Sequence, residues 1–345
     1  MLNVLWTFGP WFALGVVVYC FMVRFGYTWR YWGATEQLRI SAVVIPPIAT
    51  RADEYGVIAQ VKTVAGVGLT EVKKAAPYLS DAWGMTRVAV TRPKPGRVQI
   101  RAVRTDPLAV PLQYVPRTNP PEDLSRVHVG VDEFGEPVHL RVANVAGTGV
   151  YGLPGYGKTS FILGLICELA PSSAVQFVAL DGKVTSGAQG DYADLAPRFA
   201  ALIGDNVEEA NELLRQLCEF RAWRSSNIRD YLGGGKNIWT QGPTPEWPLV
   251  VVVIDECHTY FEQVKDGGDK KLRASNALAA QNTRYVQELV KKGRSVGIWV
   301  IPATQKGTGD AIPTHIRDVC SGAISFACKT DEAAIAALGA DIRNH

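Results

Sequence analysis

Two short stretches carry the residue types needed to handle a phosphate chain. The first, GLPGYGKTS, fits the pattern G-x-x-x-x-G-K-[ST] with Gly152, Gly157, Lys158 and Thr159, and Ser160 follows. Glycines at such places let backbone N–H groups approach an anion, the lysine reaches the β and γ phosphates, and the threonine hydroxyl is a hard ligand for Mg²⁺. Average composition produces this pattern by accident in about one chain of this size in a hundred. A glycine turn with an incidental lysine is the competing reading, and the flanks argue against it. Upstream, GVY reads as the end of a strand; downstream, SFILGLICELA reads as an apolar helix. The N–H groups of Gly155, Tyr156, Gly157, Lys158 and Thr159 are therefore expected to face phosphate from a helix N-terminus.

The second stretch, PLVVVVIDEC, is an unbroken apolar run of the kind found in strands covered on both faces, and it ends on Asp255 and Glu256. Asp255 is placed to hold Mg²⁺ through its water shell. Glu256 is placed to orient and polarise an attacking water, which separates hydrolysis from mere binding. A third stretch, GRSVGIWVIPATQ, reads as a buried strand that ends on Thr304 and Gln305. Strand ends on one edge of an open sheet converge on the ligand crevice, so Gln305 is expected beside the acids, its amide able to bond both the γ-phosphate and the water. A turn-capping glutamine is the alternative. Cys257 gains no role from its position, and His258 reads as a local hydrogen-bonding group.

These residues need elements to hold them. Helices are expected at 159–170, 208–224 and 271–292, and strands at 175–180, 249–254 and 297–302, an alternation that favours an α/β fold with a parallel central sheet. Two Gly-rich stretches, YLGGGKNIWTQGPTPEW and KDGGDKK, read as surface loops. Ahead of this lies a smaller α+β unit. A strand is expected at 57–64, then a helix from Thr70 with Val72, Ala75, Ala76, Leu79 and Trp83 on one face. TRVAVT and RVQIRAV flank the turn RPKPG, and HVGVDEFGEPVHLRV reads as a second hairpin turning at Gly135. Arg87, Arg92, Lys94, Arg97, Arg101 and Arg104 cluster there, either as a nucleic-acid face or as solvated strand charges. The segment VPRTNPPEDLSR reads as a linker.

The composition sets outer limits. With 345 residues, 47% of them hydrophobic, the chain can build one large or two unequal domains, and a net charge of +3 neither demands nor forbids a polyanion partner. Six cysteines without a CxxC pair read as reduced thiols, and the five histidines have no metal-ligand spacing. The 22 residues from Leu2 to Val23 carry no charge, and Arg24, Trp29, Arg30, Tyr31 and Trp32 follow them. This is long enough to span a bilayer core of roughly 30 Å, and the following arginines place the remainder in the cytoplasm. The expected organisation is a single-pass anchor at 1–30 in the cell membrane, a small α+β domain with linker at 31–120, and an ATPase domain at 121–345.

Taken together, LVVVVIDE, the helix ending LVKKGRSVGI, the strand WVIPATQ and the trailing IPTHIRD resemble the FtsK/SpoIIIE branch of the HerA/FtsK motor superfamily. GLTEVKKAAPYLSDAWGMTRVAV, PGRVQI and HVGVDEFGEPV resemble the small domain that precedes the motor in that family, and FVALDGK resembles its strand ending in Asp-x-Lys, here Asp181 and Lys183. The likeness covers roughly Val57 to the C-terminus. It implies a RecA-like P-loop NTPase, binding ATP and Mg²⁺, that forms a homo-hexameric ring around double-stranded DNA and is tethered to the membrane. It also implies an arginine reaching a neighbour's nucleotide, for which Arg294 and Arg317 are the candidates. An arginine frequent before the last motor strand has no counterpart here, since SGAISF places Ala323 there in one register and His315 stands there in another. Where the family continues with a Gly-rich strand and sometimes a winged helix, this sequence reads LGADIRNH.

Three functions remain open on these grounds. A DNA translocase serving segregation or the transfer of mobile DNA fits the whole set of motifs. A protein-secretion motor of the same superfamily usually carries several motor copies, and one is found here. A non-hydrolysing nucleotide-binding scaffold would not need Lys158, Asp255, Glu256 and Gln305 together.

Overall fold

The computed structural model describes residues 47–63, 68–111, 113–265, 267–305, 312–339 and 342. The expected membrane span lies outside them, and among the described residues no helix is long and apolar enough to cross a membrane. Two compact units are present. One comprises the chain up to Gln113 together with Gly130–Val138, and the other comprises Tyr114–Val129 and everything from His139 onward. The tip of the hairpin of β5 (Arg126–Val131) and β6 (Pro137–Arg141) is counted with the first unit.

In the first unit, β1 (Pro47–Ala52), β2 (Gly56–Lys62), β3 (Arg87–Lys94) and β4 (Arg97–Val103) form an antiparallel sheet in the order β1-β2-β4-β3. Helix α1 (Leu69–Trp83) covers it, with Val72, Ala76, Leu79 and Trp83 packed on Val61, Val90, Val98 and Ile100. The β3–β4 turn needs Gly96, whose φ is 76°, in the left-handed region that favours glycine. Two members of the basic cluster are structural. Arg101 is buried, pairs with Asp53 at 2.7 Å and donates to the Phe134 carbonyl, while Arg87 donates to the Glu133 carbonyl. Arg92 and Lys94 are exposed.

The second unit is a six-stranded parallel sheet of β7 (Thr148–Tyr151), β8 (Val175–Asp181), β9 (Phe199–Ile203), β10 (Leu249–Asp255), β11 (Ile298–Thr304) and β12 (Gly322–Ser325), in the order β12-β7-β11-β10-β8-β9. All seven residues of β10 are buried because both faces of the sheet are covered. Val250, Val252 and Ile254 point to one side, where α3 (Val207–Tyr231) and α5 (Lys270–Gly293) supply Leu214, Leu217, Val286 and Leu289. Leu249, Val251 and Val253 point to the other, against Ile162, Leu165, Ile166 and Leu169 of α2 (Lys158–Leu169). Strand β9 carries no marked alternation and was not expected. Helix α3 runs seven residues beyond the expected Arg224, and the Gly-rich loop after it is no simple surface loop, since Ile238 and Trp247 return to the core.

Arg224 explains part of that return. It is buried in α3, its guanidinium lies 4.6 Å from the Phe220 ring centre and 5.2 Å from that of Trp247, and Nη1 donates to the carbonyls of Val296 and Gly297. Burial pulls its pKa down to about 10, which still leaves a cation at neutral pH. The two carbonyls belong to the corner that aims β11 at the site, where Gly297 has φ 80°. Replacing Arg224 by Ala leaves the two carbonyls with Trp247 Nε1 and the Val250 N–H as partners but opens a cavity under the rings of Phe220 and Trp247, a loss expected to be on the order of 3 kcal/mol in denaturant unfolding. Lys should recover less than half of it, because an ammonium cannot lie flat on the two rings as the planar guanidinium does. An unaltered midpoint for Arg224→Ala would show that the corner holds without it.

Candidate active site

Parallel strands bring their carboxyl ends to one edge. Asp255 of β10 is paired with Asp181 of β8, Ile254 with Pro302 of β11, and Thr304 of β11 with Tyr151 of β7. Strand β11 thus lies between the strand that feeds the glycine loop and the strand that carries the acids, which delivers Gln305 into the same crevice.

The loop from Gly152 to Gly157 is shaped by its glycines. Gly155 and Gly157 have φ of 81° and 94°, and a Cβ on Gly152 would stand 2.7 Å from Phe326 Cβ. Helix α2 starts at Lys158 directly after Gly157, so its first-turn N–H groups, which have no partner within a helix, face out of the loop. Tyr156 and Ser160 are exposed there, as a ligand-facing rim would be, and Thr159 is partly buried.

Lys158 is 4% exposed and its Nζ donates to Asp255 Oδ1 at 3.0 Å and to Glu256 Oε1 at 2.6 Å. Asp255 is fully buried and also accepts from the Glu256 N–H, from Tyr192 OH at 3.0 Å and from Lys183 Nζ at 2.9 Å. Burial pushes the Asp255 carboxyl upward, but the two lysines outweigh it and hold the group below the ordinary carboxylate range. Glu256 has φ 49°, a left-handed backbone that a non-glycine residue adopts at a cost of about 1–3 kcal/mol and that recurs at functional sites. Its other oxygen receives the Gln305 N–H at 3.3 Å, and His258 Nδ1 lies 3.4 Å away. The expected trio of Lys158, acid pair and Gln305 is thus gathered in one place.

Three neighbours complete it. Lys183 Nζ lies 2.8 Å from Thr159 Oγ1, so an ammonium already bridges the two oxygens assigned to Mg²⁺, which shows that this spot accepts a cation. Tyr192, fully buried in the β8–β9 loop, had no signal in the sequence; burial, with Asp255 beside it, pushes its phenol well up. Asp181 is fully buried, accepts the Lys183 N–H through Oδ1, and leaves Oδ2 unpartnered. Gly182 between them cannot be larger, because a Cβ would stand 2.8 Å from the Glu256 carbonyl oxygen.

The two arginine candidates lie apart from this cluster. Arg294 is exposed in the short turn Arg294–Val296 that precedes β11, at the opposite end of the strand from Gln305, and Arg317 closes the short helix α6 (Thr314–Arg317) with Asp318 3.9 Å away.

Comparison with known proteins agrees with this arrangement. The FtsK/SpoIIIE family model matches residues 115–238, which contain the whole glycine loop and the Asp181–Lys183 element. The DNA translocase FtsK of Listeria monocytogenes is 23% identical over 307 residues, 84% of this chain, and that of Haemophilus influenzae is 24% identical over 323 residues, 83% of it. Over residues 115–238 the chain is similar to the FtsK/SpoIIIE family. It spans 37% of the Listeria relative and 56% of the Haemophilus one. Among solved structures, the pCW3 conjugation coupling protein TcpA, in a monomer form with ATPγS, superposes with a TM-score of 0.55 at 17% identity, covering 93% of this chain and 86% of that one. It has the same fold. The matched segment supplies the phosphate-binding half of the crevice, Gly152–Thr159 with Asp181 and Lys183.

The two buried aspartates should respond to pH with opposite sign. Asp255, with its lowered pKa, contributes stability that is present above the usual carboxylate range and lost as pH falls through the lowered value. Burial raises Asp181, and the Asp255 charge adds to the shift, so its ionised form costs stability above the folded pKa, a cost that fades as pH falls into the usual carboxylate range. Asp181→Asn should therefore raise the melting temperature at pH 8, with a smaller gain as pH falls into the usual carboxylate range. A gain that stays the same into that range would assign the effect to shape rather than charge.

Proposed function

We propose that the chain is a membrane-anchored motor that couples ATP hydrolysis to movement along double-stranded DNA, in segregation or in the transfer of mobile DNA. The observation that carries the catalytic part is the Lys158 ammonium held between Asp255 and Glu256 while the Gln305 N–H holds the other oxygen of Glu256. A binding scaffold has no use for a buried, strained glutamate aimed at the phosphate edge.

The residues divide the work as follows. The N–H groups at the start of α2 and the Lys158 charge take the phosphate chain. Thr159 and, through water, Asp255 would hold Mg²⁺, which neutralises charge on the β and γ phosphates when bound. Glu256, freed from Lys158 once that lysine serves phosphate, accepts the proton of the attacking water, and Gln305 positions it. Arg294, exposed and far from its own crevice, suits a neighbour's nucleotide in a ring better than Arg317, which is partly buried beside Asp318.

DNA as the substrate is supported by the curated relatives, which are DNA translocases, and a role in transfer by the likeness to a conjugation coupling protein. The uncharged stretch from Leu2 to Val23 with its trailing arginines supports the anchor, with the motor in the cytoplasm. A homo-hexamer follows from the family plan.

The test is ATP turnover by the full-length chain in detergent, with and without linear duplex DNA at low salt. DNA should stimulate turnover several-fold, with a steep loss as salt rises because the contacts go mainly to phosphates. Turnover that ignores DNA in the assembled protein would redirect the reading to a protein-secretion motor. Glu256→Gln should retain ATP binding and lose roughly 10²–10⁴-fold in turnover, the range for a general base. Turnover that survives would mean another group takes the proton. Gln305→Ala should bind ATP and hydrolyse it slowly or without response to DNA; full DNA-stimulated turnover would reduce Gln305 to a turn residue.

A further inference from the structure

Lys183 takes no part in the steps above, yet it occupies the centre of the crevice. Its Nζ stands 2.8 Å from Thr159 Oγ1 and 2.9 Å from Asp255 Oδ2, the pair assigned to the metal, and 3.4 Å from Asp191 Oδ2 in the β8–β9 loop. This is a held position. The Lys183 N–H is bound by Asp181 Oδ1, the Gly182 N–H donates to the Asp255 carbonyl, and Thr259 Oγ1 donates to the Gly182 carbonyl. The backbone at 182–183 is thereby fixed against the ends of β8 and β10, and only the lysine side chain is free to move.

An ammonium 2.8 Å from Thr159 Oγ1 and 2.9 Å from Asp255 Oδ2 fills the space that a metal on Thr159 and its water on Asp255 would need, and two cations that close repel strongly. We propose that Lys183 is a built-in counter-ion for the metal position. The metal–nucleotide complex must displace it, and its retreat to Asp191 passes the loading state to the β8–β9 loop. The inference rests on the ATPase reading above. Two features make the retreat feasible. The Lys183 side chain is 24% exposed, so it can leave without crossing the core, and Asp191, 55% exposed, offers an acid within its present reach. Tyr192, next in the chain, donates to the same Asp255 Oδ2. A metal drawing on that oxygen therefore disturbs two consecutive ties of one loop, and the loop leads directly into β9, the edge strand of the sheet.

The test titrates Mn²⁺, as a paramagnetic stand-in for Mg²⁺, into the full-length protein and follows free Mn²⁺ by electron paramagnetic resonance, first alone and then with ADP. Without nucleotide, Lys183→Met should bind Mn²⁺ at least roughly tenfold more tightly than the wild type, the loss of two charge-assisted bonds that oppose the metal. Its melting temperature in EDTA should fall below the wild type and recover with Mn²⁺, and Lys183→Arg should keep the weaker, wild-type affinity. Equal or weaker Mn²⁺ binding by Lys183→Met would overturn the proposal. Asp191→Asn, which leaves the metal's own oxygens in place and serves even where Lys183→Met does not fold, should weaken Mn²⁺ binding in the presence of ADP several-fold. Unaltered binding by Asp191→Asn would overturn the retreat to the loop. A wild type that takes up no Mn²⁺·ADP at all would instead defeat the ATPase reading, so the two failures are distinct.

Discussion

The Lys158 ammonium, held at 3.0 Å from one carboxylate and 2.6 Å from the next, is the contact on which the rest of the second unit depends. Lys158 starts a helix fed by β7, and the acids end β10, with β11 between them. Adjacent strands are about 4.8 Å apart, so the lysine must reach over the end of an intervening strand, a span of roughly 10 Å between backbones. That requires β11 to end on small side chains, since its last residues stand level with the acids. It closes on Pro302, Ala303 and Thr304, and the Ala303 carbonyl accepts the Cys257 N–H, which pins the turn after the acids. The strand order is therefore what makes a P-loop lysine and an acid pair available to one phosphate chain.

Such a cluster is expensive to bury. An unpaired carboxylate at the depth of Asp255 would cost several kcal/mol, and the cost is offset only when geometry and hydrogen bonds are complete. Here they are nearly so, since Lys158, Lys183, Tyr192 and the Glu256 N–H all donate to Asp255. The left-handed backbone of Glu256 and the unpartnered Oδ2 of Asp181 are local debts that the surrounding hydrophobic layers carry. Both lie at the edge where ligand charge would arrive, which is where stored strain is useful.

How much of this was legible in the sequence follows from how local each signal is. The glycine loop, Asp255, Glu256 and Gln305 were readable because pattern and strand ends specify them, and β10 was readable because burial on both faces leaves an unbroken apolar run. Strand β9 was not, since Phe199–Ile203 lies on the sheet edge and its sequence FAALI fits helix or strand. Tyr192 and the bridging place of Lys183 depend on how a long loop folds back over β8, for which spacing offers no clue. Gly182 did carry a clue, because a glycine between two charged residues at a strand end often marks a close backbone approach. Arg224 was hidden for another reason: an arginine on a helix reads as solvent-facing unless the aromatic partners, here Phe220 and the distant Trp247, are known to meet it.

The two lysines of the crevice differ in a way that orders events. Lys158 is almost fully enclosed by the acids and the loop, whereas Lys183 has about a quarter of its side chain in water. Moving a buried cation away from two carboxylates without a replacement leaves them uncompensated in a low dielectric, which is the costliest step available in this site. Moving the outer lysine is far cheaper, because water and Asp191 receive it. Incoming positive charge must therefore settle on Asp255 before Lys158 is released to phosphate, and the outer position is the one that can be exchanged first. Under the proposed hydrolytic role, Glu256 would become free to act as a base only after the metal side of the crevice is filled, so the same charges that stabilise the fold would also delay hydrolysis until both nucleotide and metal are in place.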